Sequence, residues 1–330
     1  MPRWRLFNKG RYCLRIYERL MIIINDLKDL KKPLNNPALT IGNFDGVHKG
    51  HLVLFEKVKE IARNIDGQSA VMTFEPHPIK VMKPGNGPPL ITPTKQKLRL
   101  ISEAGIDVIL SIPFTVQFAS ISAQDFVKDI LVKKIGVREI VVGYDYTFGS
   151  GRQGSIDLLR SMGDEIGFKV HVVEPIHLNN TLVSSTSVRN LVQAGDLVEA
   201  KRLLGRDYQI SGSVTKGAGR GGKVLGFPTA NLLPVDELIP KKGVYAVRVE
   251  MDTGKYYGVC NIGNNPTFGG SPLSIETHLF DFSGDILGKE FTIKFIQRLR
   301  QEKTFSGNEE LADQIKEDIK RARELFGQHE

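Results

Sequence analysis

Thr40-Ile41-Gly42-Asn43-Phe44-Asp45-Gly46-Val47-His48-Lys49-Gly50-His51 is the stretch on which the fold turns. It begins at the end of an apolar run, Ala38–Ile41, and passes through Gly42, Gly46 and Gly50. Leu52, Phe55, Val58, Ile61 and Ala62 then recur at helical spacing, so His51–Ala62 reads as a helix. A strand, a glycine turn and a helix start in that order make an anion site. The first amides of a helix lack internal partners and carry a partial positive charge. His48 and His51 flank Gly50, where the missing side chain lets the backbone come close to a ligand. Imidazoles placed there can donate hydrogen bonds to oxygens that gain charge during phosphoryl chemistry. The plainer alternative is a glycine turn with two surface histidines.

Working outward, Ala70–Phe74, Asp107–Ile112, Glu139–Gly143 and Lys169–Val173 read as buried strands. Lys95–Glu103, Ala123–Lys134 (capped by Ser122), Thr186–Ala194 and Leu197–Leu204 read as helices. Such alternation predicts an α/β domain with a mostly parallel sheet covered on both faces. After Gly205 the pattern changes. Tyr208–Thr215, Val244–Val249, Tyr256–Asn261, Ser274–Phe280 and Phe291–Leu299 are strand-like and separated by turn residues. A small antiparallel barrel or sandwich is expected there. A final helix carries Leu311, Ile315, Ile319, Ala322 and Phe326 in one stripe. The expected domains are 21–204 and 205–330, with 1–20 a basic leader outside the fold.

The chain has 330 residues, 41% of them hydrophobic and 25% charged, which suits two ordinary globular domains. Its net charge of +8 is concentrated in the leader, where Arg3, Arg5, Lys9, Arg11, Arg15 and Arg19 face only Glu18. That argues against a nucleic-acid partner, as does the lack of a basic stripe with interleaved aromatics. No apolar run approaches the ~18 residues of a membrane span. Cys13 and Cys260 form no Cys-x-x-Cys pair, so neither a zinc site nor a disulfide framework is supported, and a cytoplasmic setting is expected. The leader fits an upstream extension ahead of Met21, and its composition also suits a transit peptide. Oligomeric state stays open, a homo-oligomer included.

Gly46-x-His48-x-Gly50-His51 resembles the phosphate signature of adenylyl-transferring nucleotidyltransferases. The longer run from Gly42 is similar to one family among them, the bifunctional bacterial riboflavin kinase/FAD synthetases. Phe74-Glu75-Pro76-His77-Pro78, Gly143-Tyr144-Asp145-Tyr146-Thr147-Phe148-Gly149 and Ser184-Ser185-Thr186-Ser187-Val188-Arg189 match further loops of that family. The resemblance implies a Rossmann-like nucleotidyltransferase domain. It makes Gly42, Phe44, Gly50, His48 and His51 contacts of the ATP phosphates and sets Asp145 near nucleotide and flavin phosphate. Ser185, Thr186 and Arg189 would hold the triphosphate. Read by themselves, His77 suits a rigid turn between prolines, Asp145 a turn cap, and Ser185 or Thr186 a helix N-cap.

In the second half, Gly217-Ala218-Gly219-Arg220-Gly221-Gly222-Lys223-Val224 imitates two nucleotide motifs. Val224 lacks the hydroxyl that one of them needs, and Gly226 and Pro228 do not open a helix as both require. A cationic glycine loop able to wrap phosphates remains, or a plain surface loop. Gly226-Phe227-Pro228-Thr229-Ala230-Asn231 resembles the riboflavin kinase signature, which implies magnesium on Thr229 and Asn231. Both are hard oxygen ligands of the kind that ion takes. Glu276-Thr277-His278-Leu279-Phe280-Asp281 resembles the segment holding the family's catalytic glutamate, so Glu276 is the implied base; alone it reads as an exposed strand residue. Gly217, Gly219, Gly222 and Lys223 become kinase phosphate contacts, and Asn261 and Arg300 flavin contacts, with a solvated charge the alternative for Arg300. Lys223 stands where the family often has arginine, Ile286-Leu287-Gly288 where it has Leu-Tyr-Gly, and Tyr146 where it has phenylalanine. The resemblance implies two reactions: riboflavin and ATP give FMN, then FMN and a second ATP give FAD and pyrophosphate. The rival reading is an adenylyltransferase whose barrel only senses flavin.

Overall fold

The computed structural model describes residues 4–7, 11–16, 19–215, 229–234, 237–264 and 273–327. They form two compact units: Met1–Pro88 with Thr92–Ser184, and Pro89–Ile91 with Ser185–Glu330.

The first unit is built on strands β1 (Trp4–Phe7), β2 (Arg11–Ile16), β3 (Arg19–Ile24), β4 (Ala38–Ile41), β5 (Ser69–Glu75), β6 (Val108–Pro113), β7 (Glu139–Gly143) and β8 (Lys169–Val173). Their order is β1-β2-β3-β6-β5-β4-β7-β8, and β3 to β8 run parallel. The central strands β4 to β7 are mostly apolar and buried because both faces are covered. Leu39, Ile41, Met72, Leu110, Ile140 and Val142 pack on one side; Ala38, Val71, Ile109 and Val141 face the other, against Phe55, Val58 and Ile61. Helices α1 (Lys49–Asn64), α2 (Pro78–Met82), α3 (Thr94–Glu103) and α4 (Ile156–Ile166) follow the strand ends. The predicted helix over 123–134 is a short α-turn running into a π-helix, Phe126–Ile135, and Ser122 caps it as expected.

Residues 1–20 differ from expectation. The leader enters the sheet as β1 and β2: β1 pairs antiparallel with β2, and β2 antiparallel with β3. Without them β3 would be a sheet edge with an unpaired row of amides and carbonyls. Alternation at Tyr12, Leu14 and Ile16 supplies the strand pattern.

The second unit is a closed antiparallel barrel rather than a sandwich. Its strands are β11 (Tyr208–Thr215), β12 (Ala230–Pro234), β13 (Gly243–Met251), β14 (Gly254–Asn264), β15 (Leu273–Leu279) and β16 (Glu290–Arg300), in the order β11-β12-β15-β14-β13-β16. Two short strands of the first unit, β9 (His177–Leu178) and β10 (Thr181–Leu182), pair separately. Helix α5 (Ser185–Ala194) packs on α6 (Leu197–Leu204), and α6 packs on β11 and β16. These helices thus belong with the barrel, whereas the sequence put them before the boundary. The reason is burial of Leu197, Ala200, Leu203 and Leu204 on α6. Helix α7 (Asn308–Gly327) lays Ala322 and Phe326 over Val244, Ala246 and Val259.

Glu237 gives the barrel a pH dependence. It is 7% exposed, its carboxylate accepts one hydrogen bond from Ser211 N at 2.8 Å, and burial pushes it up to about 7. A carboxyl raised in the folded state binds its proton more tightly there than in the unfolded chain. Its stabilising effect is therefore complete below the unfolded value and is lost as pH climbs toward 7. Glu237→Gln should remove this slope and raise the barrel's stability at pH 8 by roughly 1–3 kcal/mol. Urea unfolding followed at pH 5 and pH 8 checks it; parallel curves for wild type and variant would refute it.

Candidate active sites

The turn after β4 is built as the sequence suggests. Gly42 N donates to Met72 O at 3.1 Å, continuing the pairing with β5. The chain then reverses through positive φ at Phe44 (50°), Gly46 (90°) and Val47 (38°). His48 caps α1: its Nδ1 accepts from His51 N at 3.3 Å. In the neutral ring this leaves the proton on Nε2, which then serves as a donor. The His48 and His51 rings stack with centroids 3.5 Å apart and 20° between planes, and Phe44 meets His51 edge-on at 5.1 Å. A side chain on Gly50 would stand 3.1 Å from the His48 ring and 3.3 Å from Val183 O, so it would crowd this stacking. A Cβ on Gly42 would likewise press on the Phe44 ring.

Asp45 does not face outward. It is 4% exposed and accepts from Thr92 N at 3.0 Å, while Gly46 N donates to Thr92 Oγ1 at 3.0 Å. His77 caps α2, its Nδ1 accepting from Ile79 N at 3.2 Å, in keeping with the turn role. Asp145 is exposed at the end of β7 and lines an open cleft of about 480 Å³ with Tyr144, Tyr146, Arg160 and Glu174. Ser185 and Thr186 open α5, and Arg189 lies one turn in with Nε on Pro89 O at 3.3 Å. These three form their own cluster in the second unit.

On the barrel, register brings three expected residues into one row. Asn231 of β12 and Asn261 of β14 are both paired with Glu276 of β15. Directly opposed residues share a face, and Ile275, Thr277 and Leu279 take the other face, inside the barrel. Ser274 Oγ donates to Glu276 Oε1 at 2.8 Å and lies 3.5 Å from Asn231 Oδ1. Thr229 stands just before β12. Gly217, Gly219, Gly222 and Lys223 lie outside the described residues.

Arg300, expected at flavin, has partners within the chain. Its Nε and Nη2 grip Asp318 of α7 at 2.8–3.0 Å, and Nη1 donates to Gln301 O. Asp318 is 2% exposed, so the fork serves to fasten α7 to β16. Sequence reading missed Asp318, although it stands four residues before Ala322 on the buried side of the helix. Removing either partner of a buried pair strands the other. Asp318→Ala and Arg300→Ala should each lower stability by about 3 kcal/mol, with the double variant little worse. Urea unfolding of the three variants measures this, and additive losses would sink it.

A helix-start histidine pair at the carboxyl ends of a parallel sheet is the architecture of a nucleotide-binding α/β enzyme. Residues 30–187 match the FAD synthetase family and residues 204–326 the riboflavin kinase family. The chain is 38% identical over 309 residues to the bifunctional riboflavin kinase/FMN adenylyltransferase of Escherichia coli K12, covering 93% of this chain and 98% of that one. It is 36% identical to the protein of the same description from Buchnera aphidicola subsp. Acyrthosiphon pisum, over 94% and 99% of the two chains. A crystal structure described as a macrolide-efflux protein from Streptococcus pneumoniae is 33% identical, with TM-score 0.82 over 92% of this chain and 98% of that one. Among the described residues no helix is long and apolar enough to cross a membrane. The chain belongs to the bifunctional riboflavin kinase/FMN adenylyltransferase family.

Proposed function

We propose that the two reactions of this family are divided between the two units. The chain is an ATP-dependent transferase that makes FMN from riboflavin and FAD from FMN. The observation that carries the division is the presence of two separate constellations: the stacked His48–His51 pair at the start of α1, and the Asn231–Glu276–Asn261 row on the barrel.

In the first unit an oxygen of the FMN phosphate attacks the α-phosphorus of ATP. The bond from that phosphorus to the bridging oxygen breaks, and pyrophosphate leaves. Charge develops on the α-phosphoryl oxygens and the leaving group. The start of α1 and the ring N–H groups of His48 and His51 stabilise it. Gly42, Phe44 and Gly50 shape the turn, and Asp145 is assigned to nucleotide and flavin phosphate; Ser185, Thr186 and Arg189 are assigned to the triphosphate on the sequence resemblance alone.

In the second unit Glu276 accepts the proton of the riboflavin 5′-hydroxyl as that oxygen attacks the γ-phosphorus, and ADP leaves. The hydrogen bond from Ser274 holds the carboxylate in place. Asn261, in the same row, is assigned to flavin. The cationic loop with Gly217, Gly219, Gly222 and Lys223 is assigned to the ATP phosphates. Thr229 and Asn231 would hold magnesium. The oxygens of Thr229 and Asn231 suit an ion that takes one or two protein ligands beside phosphate and water. Bound there, it would neutralise charge on the β- and γ-phosphates. The reading also places the enzyme in the cytoplasm without nucleic-acid or membrane partners, and it is compatible with a homo-oligomer.

A chromatographic assay of the pure chain with riboflavin, ATP and magnesium tests the division. FMN followed by FAD is expected. FAD from supplied FMN but no FMN from riboflavin would favour a barrel that only senses flavin. No product from either substrate would overturn both assignments.

A further inference from the structure

We infer that Lys97 is a positioning residue of adenylyl transfer, because its ammonium bridges a main-chain carbonyl of the loop after β4 and one at the end of β5. The inference rests on adenylyl transfer belonging to the first unit. Lys97 lies in α3, is 5% exposed, and donates to Asn43 O at 3.3 Å and to Phe74 O at 3.1 Å. Thr73 Oγ1 also donates to Asn43 O, at 3.1 Å. Two donors therefore fix the carbonyl immediately before Phe44, where the chain enters its positive-φ turn. Non-glycine residues at positive φ persist only where their surroundings hold them. Phe44 and Val47 are such residues, and His48 follows directly. The second carbonyl, on Phe74, ties the same ammonium to the end of β5, from which the chain runs on to His77.

The electrostatic setting fits this use. Burial lowers the pKa of Lys97, while Glu75 and Asp45 beside it favour the charged form. Asp45 is itself held by Thr92, and Glu75 accepts from Thr94 Oγ1, so each of the two carboxylates near Lys97 is anchored by its own donor. A neutral side chain at 97 would take the ammonium from Phe74 O, leave Asn43 O to Thr73 alone, and remove a buried positive charge beside Glu75 and Asp45. The turn would relax, and the His48 and His51 rings would move with it. A misplacement of about 1 Å costs about 100-fold in rate when catalysis depends on aimed donors.

The test is Lys97→Met in the full chain, with FAD formation from FMN and FMN formation from riboflavin measured on one preparation. The expected result is a fall of about 100-fold in kcat for FAD, a change in KM for ATP below about threefold, and an unchanged rate of FMN formation. A kcat for FAD within about threefold of wild type overturns the inference, as does a loss carried wholly by KM. If circular dichroism shows Lys97→Met unfolded, Thr73→Val decides, because it removes only the other donor on Asn43 O. A kcat lowered about tenfold in a folded chain then supports the inference, and an unchanged kcat overturns it. A wild-type chain that makes no FAD removes the underlying reading together with the inference. A wild type that makes FAD beside an unaffected Lys97→Met removes the inference alone.

Discussion

His51→Ala is expected to lower FAD formation from FMN by about 10²–10³-fold while FMN formation from riboflavin by the same chain stays within about twofold. The size follows from what one aimed donor is worth where charge develops in a site. The direction of the split follows from architecture, since His51 stands in the first unit and the Glu276 row in the second. His48→Ala removes more than a donor. It also deletes the cap that accepts from His51 N, a loss of about 0.5–2 kcal/mol of helix stability. His48→Asn separates the two effects: asparagine restores a cap but offers no imidazole. It should recover the thermal stability that alanine loses and little of the FAD activity. Initial rates from chromatographic product assays, with riboflavin and with FMN as separate starting substrates, measure the split. Equal loss of both activities in His51→Ala would refute separate sites.

How far the sequence carried this picture depended on the kind of interaction concerned. Strands buried on both faces leave continuous apolar runs, so β4 to β8 and the parallel sheet were legible within a residue or two. The turn at 42–51 was legible because its glycines are required by sterics that any reader can anticipate. The Asn231–Glu276–Asn261 row was only half legible. The three residues were identified one by one through resemblance, but their alignment is a matter of register between β12, β15 and β14, which no local pattern specifies. Strand β12 itself went unread, since it follows a proline and is only 5 residues long. Buried charges were the least legible. Lys97 stands four residues before Ile101, and Asp318 four before Ala322, both on core-facing sides of helices that otherwise look amphipathic. A charge at such a position signals a partner, yet the partners (Asn43 O and Phe74 O for Lys97, Arg300 for Asp318) come from distant segments. For the same reason the fork of Arg300 on Asp318 of α7 went unread.

Glu276→Gln tests the kinase half most sharply. A general base contributes about 10²–10⁴-fold, so FMN formation should fall by about that factor while FAD formation from supplied FMN persists. Glutamine is the informative replacement because it keeps the shape of the side chain and an oxygen to accept the Ser274 hydroxyl, whose bond to Glu276 is 2.8 Å. What it loses is the capacity to take a proton. Alanine would confound that loss with a gap in the row opposite Asn231 and Asn261. Ser274→Ala completes the comparison: it leaves the carboxylate in place but frees its orientation, and about tenfold is expected. The ordering Glu276→Gln far below Ser274→Ala, with Asn231→Ala raising the magnesium needed for half-maximal rate, would assign base, orienting group and metal ligand separately. A Glu276→Gln chain that still phosphorylates riboflavin within about tenfold of wild type would mean that the carboxylate binds but takes no proton. The row would then be a flavin and metal platform, with the hydroxyl proton leaving to solvent or to the phosphate itself.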